Sequence, residues 1–329
     1  MASDTAPINN SADFVSVIIP AYNAASYIKE TIESVFSQTY RHFEVIVVND
    51  GSPDTIILEK VLQPYLESIV YLTQENRGLS GARNTGLRAA KGNLISLLDA
   101  DDIWLPDYLG QQVAFLRDNP ERDLVYCNAE FFGEGITPGQ FYMNACPSEG
   151  EADAAAIISK RCTVFVSVTA RKEALQSIGF DESLRSCEDL DCWLRFAAAG
   201  YRIGYQRKVL ARYRRHAASL SANAERMLGF NIQVMTNALS LFPAQSNEAD
   251  LIHEAIEKRK AELDIVKGKK ALKSREIEAA KAHFQNANLH YHSAKNWWLL
   301  QALNVAPVLV VWLFRMRSMV SIKHRQNNG

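Results

Sequence analysis

Three acidic residues within four positions follow the apolar segment NLISLL at 93–98; the four positions are Asp99, Ala100, Asp101 and Asp102. Carboxylates this close repel one another unless a cation or hydrogen-bond donors neutralise them. Mg²⁺ and Mn²⁺ prefer carboxylate oxygen and keep positions open for phosphate oxygen. The pattern therefore predicts a divalent-metal site that can hold a nucleotide diphosphate. A solvated turn in which one Asp caps the next helix would give the same pattern.

A second acidic pair, Glu188 and Asp189, stands at the start of a predicted helix near 188–199. The helix dipole alone would stabilise carboxylates at this end. A carboxylate here could also act as a general base that takes a proton from a substrate hydroxyl. Asp191 and Trp193 could shape the substrate side of such a site, although Trp193 also fits a core position.

Strands and helices alternate in the segments that lead to these acids. Apolar runs predict strands at 14–19, 43–48, 69–72 and 93–98, with helices between them, the first of which is capped by Asn23 and ends near Gln38. This alternation is typical of an α/β fold with a mostly parallel sheet and helices on both faces. Because ligands bind at the carboxyl ends of such strands, the segments AYN, NDGS and DADD should gather at one edge.

The rest of the chain divides by composition. A helix is predicted at 107–118, a strand at 123–127, a loop over the site at 130–152 and a strand at 201–206. Ala, Lys, Glu and Leu dominate afterwards and predict packed helical hairpins, with a helix-turn-helix unit at 267–287. The predicted organisation is a flexible N-terminus at 1–13, a catalytic domain at 14–221, a helical accessory region at 222–296 and an apolar, basic C-terminal segment at 297–329.

The segment WWLLQALNVAPVLVVWLF at 297–314 is apolar apart from Gln301 and Asn304, and Pro307 interrupts it. Its 18 residues would reach roughly 27 Å as a helix, just short of a bilayer core of about 30 Å. Three interpretations stay open: a helix in the plane of a membrane, a packing face or oligomer contact, and a membrane span.

Whole-chain properties exclude several classes of protein. With 36 Lys and Arg against 37 Asp and Glu, the net charge of −1 gives no case for nucleic-acid binding. The five cysteines include no C-x-x-C pair and predict reduced thiols. The N-terminus has no apolar stretch before Phe14, so no signal peptide is predicted and a cytoplasmic location is expected. Peripheral contact at the cytoplasmic face of the inner membrane, through 297–329, is part of that expectation.

Several motifs in order resemble a family 2 glycosyltransferase of GT-A fold, of the inverting, bacterial surface-glycan type. They are VSVIIPAYNAASYIKETIESVFSQTYRHFEVIVVNDGSPD, ENRGLSGARNTGLRAAKGNLISLLDADDIW, SCEDLDCWLRFAAAGYRIGY and YRRHAASLS. The resemblance covers about 14–221, and the C-terminal third lies outside it.

The resemblance implies a role for each of several residues. Asp99 and Asp101 would form the D-x-D motif, with Asp99 and the intervening Ala100 near the ribose and Asp101 on an Mg²⁺ or Mn²⁺ ion. Asp189 would be the catalytic base, and Glu188 its acidic neighbour. His216 could be a further metal ligand, or belong with Arg214 and Arg215 to a surface basic cluster. The residues implied to bind the nucleotide are Pro20, Tyr22, Asp50 and Arg83; Tyr22 as a core-edge residue and Asp50 as a turn residue remain alternatives.

These inferences predict a metal-dependent, inverting glycosyltransferase that uses a nucleotide-diphosphate sugar, with UDP-sugar as the expected donor. The acceptor would be a glycan or a lipid-linked molecule in cell-surface polysaccharide synthesis. A non-catalytic nucleotide-sugar-binding or scaffold protein is the first alternative, although it would have little need of a base. A sugar nucleotidyltransferase is the second, and the chain lacks the N-terminal Gly-rich, basic phosphate loop expected of it.

Overall fold

A computed structural model gives the structure of residues 13–216, 219, 223–291, 294–313 and 316. Three predictions lie outside the described residues: the flexibility of residues 1–12, the domain boundary at Ser221, and the surroundings of the basic residues Arg315, Arg317, Lys323 and Arg325.

One sheet contains the eight strands found in the described residues. These strands are β1 (Val15–Ala21), β2 (Phe43–Asp50), β3 (Val70–Gln74), β4 (Leu94–Leu97), β5 (Ile103–Trp104), β6 (Leu124–Gly133), β7 (Val168–Arg171) and β8 (Ile203–Arg215). The helices are α1 (Ile28–Phe36), α2 (Thr55–Leu62), α3 (Gly78–Ala89), α4 (Tyr108–Asp118), α5 (Tyr142–Ala145), α6 (Ala154–Ile158), α7 (Lys172–Ile178), α8 (Glu188–Ala198), α9 (Ala224–Ala238), α10 (Asn247–Ser274), α11 (Ile277–Tyr291) and α12 (Ala294–Val305).

The strand order is β3-β2-β1-β4-β7-β6-β8-β5. The first four strands are mutually parallel, which confirms the predicted α/β fold with a mostly parallel sheet. Strand β7 runs antiparallel to both β4 and β6, and β8 is parallel to β6. Strands β1, β2, β4 and β8 therefore all end at the same edge of the sheet.

The apolar periodicity explains these elements. All seven residues of β1 are buried, as expected of a parallel strand that is covered on both faces. Helix α1 buries Ile28, Ile32 and Val35 at helical spacing. The prediction that Asn23 caps this helix is wrong, because the helix begins five residues later. Asn23 instead has a left-handed φ of 52° and its backbone N–H donates to Ser52 Oγ.

Two strands extend beyond their predicted ends. Strand β6 continues to Gly133 and β8 to Arg215, because the two pair along this length with an irregularity near Asn128. The first residues of the predicted loop at 130–152 thus belong to β6. Helix α5 and a bridge between Ser148 and Cys162 account for part of the remainder.

The helical region after β8 was predicted correctly as hairpins. Helices α10 and α11 pack against each other and are joined at Arg275, which has a left-handed φ of 65°. The region packs in two parts. Val234, Met235 and Ile252, from α9 and the first half of α10, belong to the same core as the sheet. A second core joins the end of α10 to α11, α12 and the residues after it: Ala271, Leu272, Ala280, Phe284, Leu300, Leu303 and Val311.

The apolar segment near the C-terminus forms two short helices rather than one. Helix α12 ends at Val305, and residues 307–313 form a further helical stretch that starts with Pro307. Across the described residues, none of the helices combines the length and apolar character needed to cross a membrane. All five cysteines are free, as predicted.

We expect the substitution Gly86→Ala to destabilise the fold. A Cβ at Gly86 in α3 would lie 2.4 Å from Ile18 Cγ2 in β1, so helix and sheet would have to separate. Overpacking of this kind costs about 1–3 kcal/mol in the free energy of unfolding. Urea unfolding followed by circular dichroism measures the change.

Gly229→Ala is the matched control, because a Cβ at this helical glycine meets no atom within 4 Å. Alanine there should be neutral or stabilise by up to about 1 kcal/mol through helix propensity. Equal unfolding midpoints for Gly86→Ala and the wild type would show that α3 does not need this close contact.

Candidate active site

Two of the three polar segments are tied together by Ser52. The backbone N–H of Asn23 donates to Ser52 Oγ at 2.6 Å, and the Ser52 N–H donates to Asn49 Oδ1 at 2.9 Å. The Ala25 N–H donates to Asp54 Oδ2 at 2.9 Å. These hydrogen bonds hold the loop after β1 against the loop after β2, at the edge where both strands end.

The residues predicted to hold the nucleotide base lie on these two loops. Pro20 is buried in β1, whereas Tyr22 is 55% exposed. Asp50 is buried, and its Oδ1 accepts hydrogen bonds from Gln74 Nε2 at 2.6 Å and the Arg77 N–H at 2.8 Å. An exposed ring can stack on a nucleotide base, and a fixed carboxylate can accept a hydrogen bond from the N–H of that base. Their contact with a nucleotide stays a prediction.

A glycine permits the tight turn after Asp50. Gly51 has a φ of 62°, and a Cβ there would lie 2.7 Å from the backbone nitrogen of Asn76. Any other residue would push the loop after β3 away and move the carboxylate of Asp50 with it.

The acidic loop after β4 is not a solvated turn. Asp102 is fully buried, and its Oδ1 accepts a hydrogen bond from the Arg214 N–H at 2.9 Å. Burial raises the pKa of Asp102 well above its ordinary value, and the charges of Asp101 and Asp99 raise it further. The next helix, α4, begins only at Tyr108. The capping interpretation of this loop is therefore wrong.

Asp101 faces His216, as expected if the two residues bind the same metal ion. Asp101 Oδ2 lies 2.9 Å from His216 Nε2, and the imidazole stacks on the ring of Tyr27 with centroids 4.8 Å apart. Burial raises the pKa of Asp101, and so does the charge of Asp99, while His216 lowers it. The pair forms because β4 and β8 end at the same edge of the sheet.

Arg83, on helix α3, connects the acidic loop to the acidic pair on α8. Its side chain is 1% exposed; Nη2 donates to Asp99 Oδ1 and Nη1 to Glu188 Oε1, both at 2.7 Å. Burial lowers the pKa of Arg83, but the carboxylates of Asp99, Glu188 and Asp189 more than offset this and raise the pKa above its ordinary value. Its predicted contact with the nucleotide stays a prediction.

Asp189 differs from Glu188 in its partners. Asp189 Oδ1 accepts a hydrogen bond from the Leu190 N–H at 2.8 Å, whereas Glu188 is paired with Arg83. Burial raises the pKa of Asp189 to about 6, the charge of Glu188 adds to the rise, and Arg83 opposes it. A carboxylate with this pKa is ionised at neutral pH and basic enough to accept a proton from a hydroxyl.

The loop predicted to cover the site contains Tyr142, on α5, which packs against Phe165 and Phe131. Burial raises the pKa of Tyr142 well above its ordinary value, and the charge of Asp189 contributes to the rise. Tyr142 thus lies within electrostatic range of the candidate base.

The donor atoms at Asp101 and His216 fit a divalent cation that substrate oxygens would complete. They supply one carboxylate oxygen and one imidazole nitrogen, and no third His, Cys, Asp or Glu in the described residues closes a metal site around them. Mg²⁺ in particular is commonly held by one or two carboxylates together with substrate phosphates. Asp101 and His216 therefore fit a site at which protein side chains and substrate phosphate oxygens together would bind the cation.

Other predicted residues have structural contacts. Asp191 forms an ion pair with Arg195 at 2.6 Å, and Trp193 is buried in the core. Arg214 donates through Nη2 to Glu30 Oε2 at 2.6 Å and through Nε to the carbonyl of Asp101 at 2.7 Å. Arg214 thus positions the acidic loop and is not part of a free basic cluster.

Sequence reasoning missed Tyr27 and Glu30. Tyr27 stacks on His216, and Glu30 pairs with Arg214. Both precede their partners by more than 180 positions, so no local pattern could have found them.

Comparison with known proteins identifies relatives of the chain. The family model for glycosyl transferase family 2 matches residues 16–171. An uncharacterized glycosyltransferase of Rickettsia prowazekii (strain Madrid E) is 34% identical over 218 residues, which are 64% of this chain and 66% of that protein. The putative teichuronic acid biosynthesis glycosyltransferase TuaG of Bacillus subtilis (strain 168) is 32% identical over 226 residues, 66% of this chain and 84% of TuaG. The chain spans just under two thirds of the Rickettsia relative.

Solved structures share the fold over nearly the whole chain. S. aureus TarS in complex with UDP-GlcNAc superposes with a TM-score of 0.61 and 20% identity, over 94% of this chain and 92% of that one. The mannosyltransferase PcManGT from Pyrobaculum calidifontis, in complex with GDP-Man and Mn²⁺, gives a TM-score of 0.60 and 20% identity, over 99% and 86%. These similarities establish the GT-A fold. The family model and the sequence relatives show that the chain belongs to glycosyl transferase family 2.

Proposed function

We propose that the chain is a metal-dependent, inverting glycosyltransferase that uses a UDP-sugar as donor and a glycan or lipid-linked molecule as acceptor. The observation that carries the proposal is the network around Arg83. This one guanidinium binds Asp99 from the acidic loop and Glu188 from the pair that contains the candidate base. It therefore sets the distance between the group expected to hold the donor and the group expected to activate the acceptor.

In the proposed reaction the carboxylate of Asp189 accepts the proton of the acceptor hydroxyl. The acceptor oxygen attacks the anomeric carbon while the bond from that carbon to the diphosphate breaks on the opposite face, which inverts the configuration. The products are the glycosylated acceptor and the nucleoside diphosphate. Glu188 keeps its hydrogen bond to Arg83 and raises the basicity of Asp189 through its charge.

The proposed donor site lies at the carboxyl edge of the sheet. Tyr22 would stack on the base with Pro20 beneath it, and Asp50 would accept a base N–H. Asp99 and Ala100 would lie along the ribose. The complex of TarS with UDP-GlcNAc supports a nucleotide-sugar donor and is the support for a uridine nucleotide, whereas PcManGT carries GDP-Man.

Asp101 and His216 are the residues that would hold Mg²⁺ or Mn²⁺. A divalent cation bound there would neutralise charge on the leaving diphosphate. The presence of Mn²⁺ with GDP-Man in the PcManGT structure supports this assignment. The name of TuaG, which refers to teichuronic acid biosynthesis, supports a cell-surface polymer as the product.

Replacing the candidate catalytic base, Asp189, should separate donor binding from turnover. We expect Asp189→Asn to lower kcat by roughly a hundredfold or more, because amide oxygen cannot take the acceptor proton. Donor affinity should stay close to that of the wild type. Nucleoside diphosphate release from a panel of nucleotide sugars, with Mn²⁺, Mg²⁺ or a chelator, measures turnover, and calorimetry measures donor binding.

Asp118→Asn is the control for this substitution, since Asp118 is an exposed carboxylate on α4. Full turnover in Asp189→Asn would refute the assignment of the base. Donor binding without turnover in the wild type would support a binding or scaffold protein, unless adding acceptors restores activity. Release of pyrophosphate would indicate a nucleotidyltransferase.

The pH profile should report the ionisation of Asp189. Its pKa is raised to about 6 and only the ionised form can accept a proton, so kcat/KM should fall as the pH drops below about 6. Glu188→Gln removes a negative charge that raises this pKa. We therefore expect the acidic limb of kcat/KM to move to lower pH in Glu188→Gln, and an unmoved limb would mean that another group controls it.

Removing a proposed metal ligand should weaken metal-dependent donor binding. We expect Asp101→Asn and His216→Ala each to lower donor affinity in Mn²⁺ by about 10–100-fold, and a chelator to have the same effect on the wild type. Asp107→Asn, an exposed carboxylate after the same loop, is the control. Equal donor affinity with and without the metal, in all variants, would contradict a metal-bound diphosphate.

A further inference from the structure

The C-terminal helices use only one of their two apolar sides for packing. Leu300, Leu303 and Val311 are buried against α10 and α11. The opposite side, which we call the outer face, consists of Trp297, Trp298, Val308, Leu309, Trp312 and Leu313. These six side chains are between 46 and 77% exposed. The break at Ala306 and Pro307 also forms an apolar pocket with part of this face.

The tryptophans show how unusual the outer face is. The chain has five tryptophans, and the two in the sheet domain, Trp104 and Trp193, are each 1% exposed. The remaining three, Trp297, Trp298 and Trp312, all belong to the outer face. Tryptophan is enriched where a protein meets the boundary between lipid headgroups and acyl chains. Isolated exposed apolar residues need no explanation, but six large exposed apolar side chains on two successive helical stretches do.

The charge of the sequence around the outer face favours an anionic partner. The last Asp or Glu in the chain is Glu278, and the 51 residues that follow it contain six basic residues and no acid: Lys281, Lys295, Arg315, Arg317, Lys323 and Arg325. The whole chain, by contrast, has 36 basic and 37 acidic residues. A second copy would bring like charges together, whereas a surface of anionic lipid attracts them.

We propose that the outer face binds the surface of a bilayer that contains anionic lipid, with the C-terminal helices lying in the plane of the interface. The buried inner side favours this orientation, because Leu300, Leu303 and Val311 already pack on the protein and only the outer face can enter lipid. The inference is independent of the donor, the metal and the proposed reaction.

Co-sedimentation of the full-length chain with vesicles tests the proposal. We expect binding to phosphatidylcholine vesicles that contain phosphatidylglycerol, weaker binding to phosphatidylcholine alone, and loss of binding as salt is raised. Trp298→Glu and Leu309→Glu should each weaken binding about tenfold or more, because each places a charge in the apolar face. Both side chains are exposed, so the fold should tolerate the change.

Ile56→Glu is the matched control: Ile56 is 84% exposed on α2, outside the outer face, and its replacement should leave vesicle binding unchanged. Wild-type protein that stays in the supernatant with anionic vesicles would overturn the proposal, as would Trp298→Glu protein that binds like the wild type. A dimer that Trp298→Glu converts to monomer, without vesicle binding, would assign the face to a second copy instead. Nucleoside diphosphate release by the same variants keeps failure of this proposal distinct from failure of the enzymatic one.

Discussion

The buried guanidinium of Arg83 is the constraint on which the arrangement of the active site depends. It lies between carboxylates that are 16 positions after it and 105 positions after it in the chain. Without it, Asp99 and Glu188 would have no cation in hydrogen-bond contact among the described residues. Removing one partner of a buried ion pair costs about 3–5 kcal/mol in stability, so the fold depends on keeping these ion pairs intact. Gly86 also contributes to the position of Arg83, because it lets α3, the helix that carries Arg83, approach β1 closely.

The direction of the strands explains why the other groups meet there. Strand β7 reverses direction between β4 and β6, and as a result β8 runs the same way as β4. The loop after β4 and the end of β8 therefore share one edge, and Asp101 reaches His216. Arg214 then holds the loop in place, because it donates hydrogen bonds to the buried carboxylate of Asp102 and to the carbonyl of Asp101.

Much of this could be predicted from the sequence. The long apolar runs located β1, β2 and β4, since a strand covered on both faces has no polar alternation to obscure it. The shorter run of the half-buried strand β3 was also found. Short elements such as β7, α6 and α7 were missed, because four to seven residues carry too little periodicity. The lengths of β6 and β8 depend on their pairing with each other, which no local pattern contains. The acidic motifs were found from their residue types, but the role of Arg83 was not, since its partners are set by tertiary structure.

Helix α10 belongs to both cores of the molecule. Its first half packs with Ile252 and Ile256 in the core of the sheet, and its second half packs with Ala271 and Leu272 in the core of the C-terminal helices. Among the described residues, the change from one core to the other therefore falls within α10. Recombination at 221 would strip α9 from the core and break the hydrogen bond that the Cys187 thiol donates to the backbone carbonyl of Met227. Recombination in the middle of α10 would interrupt one continuous helix but leave each core whole. Exchange of the C-terminal helices among relatives therefore has a natural crossover point there.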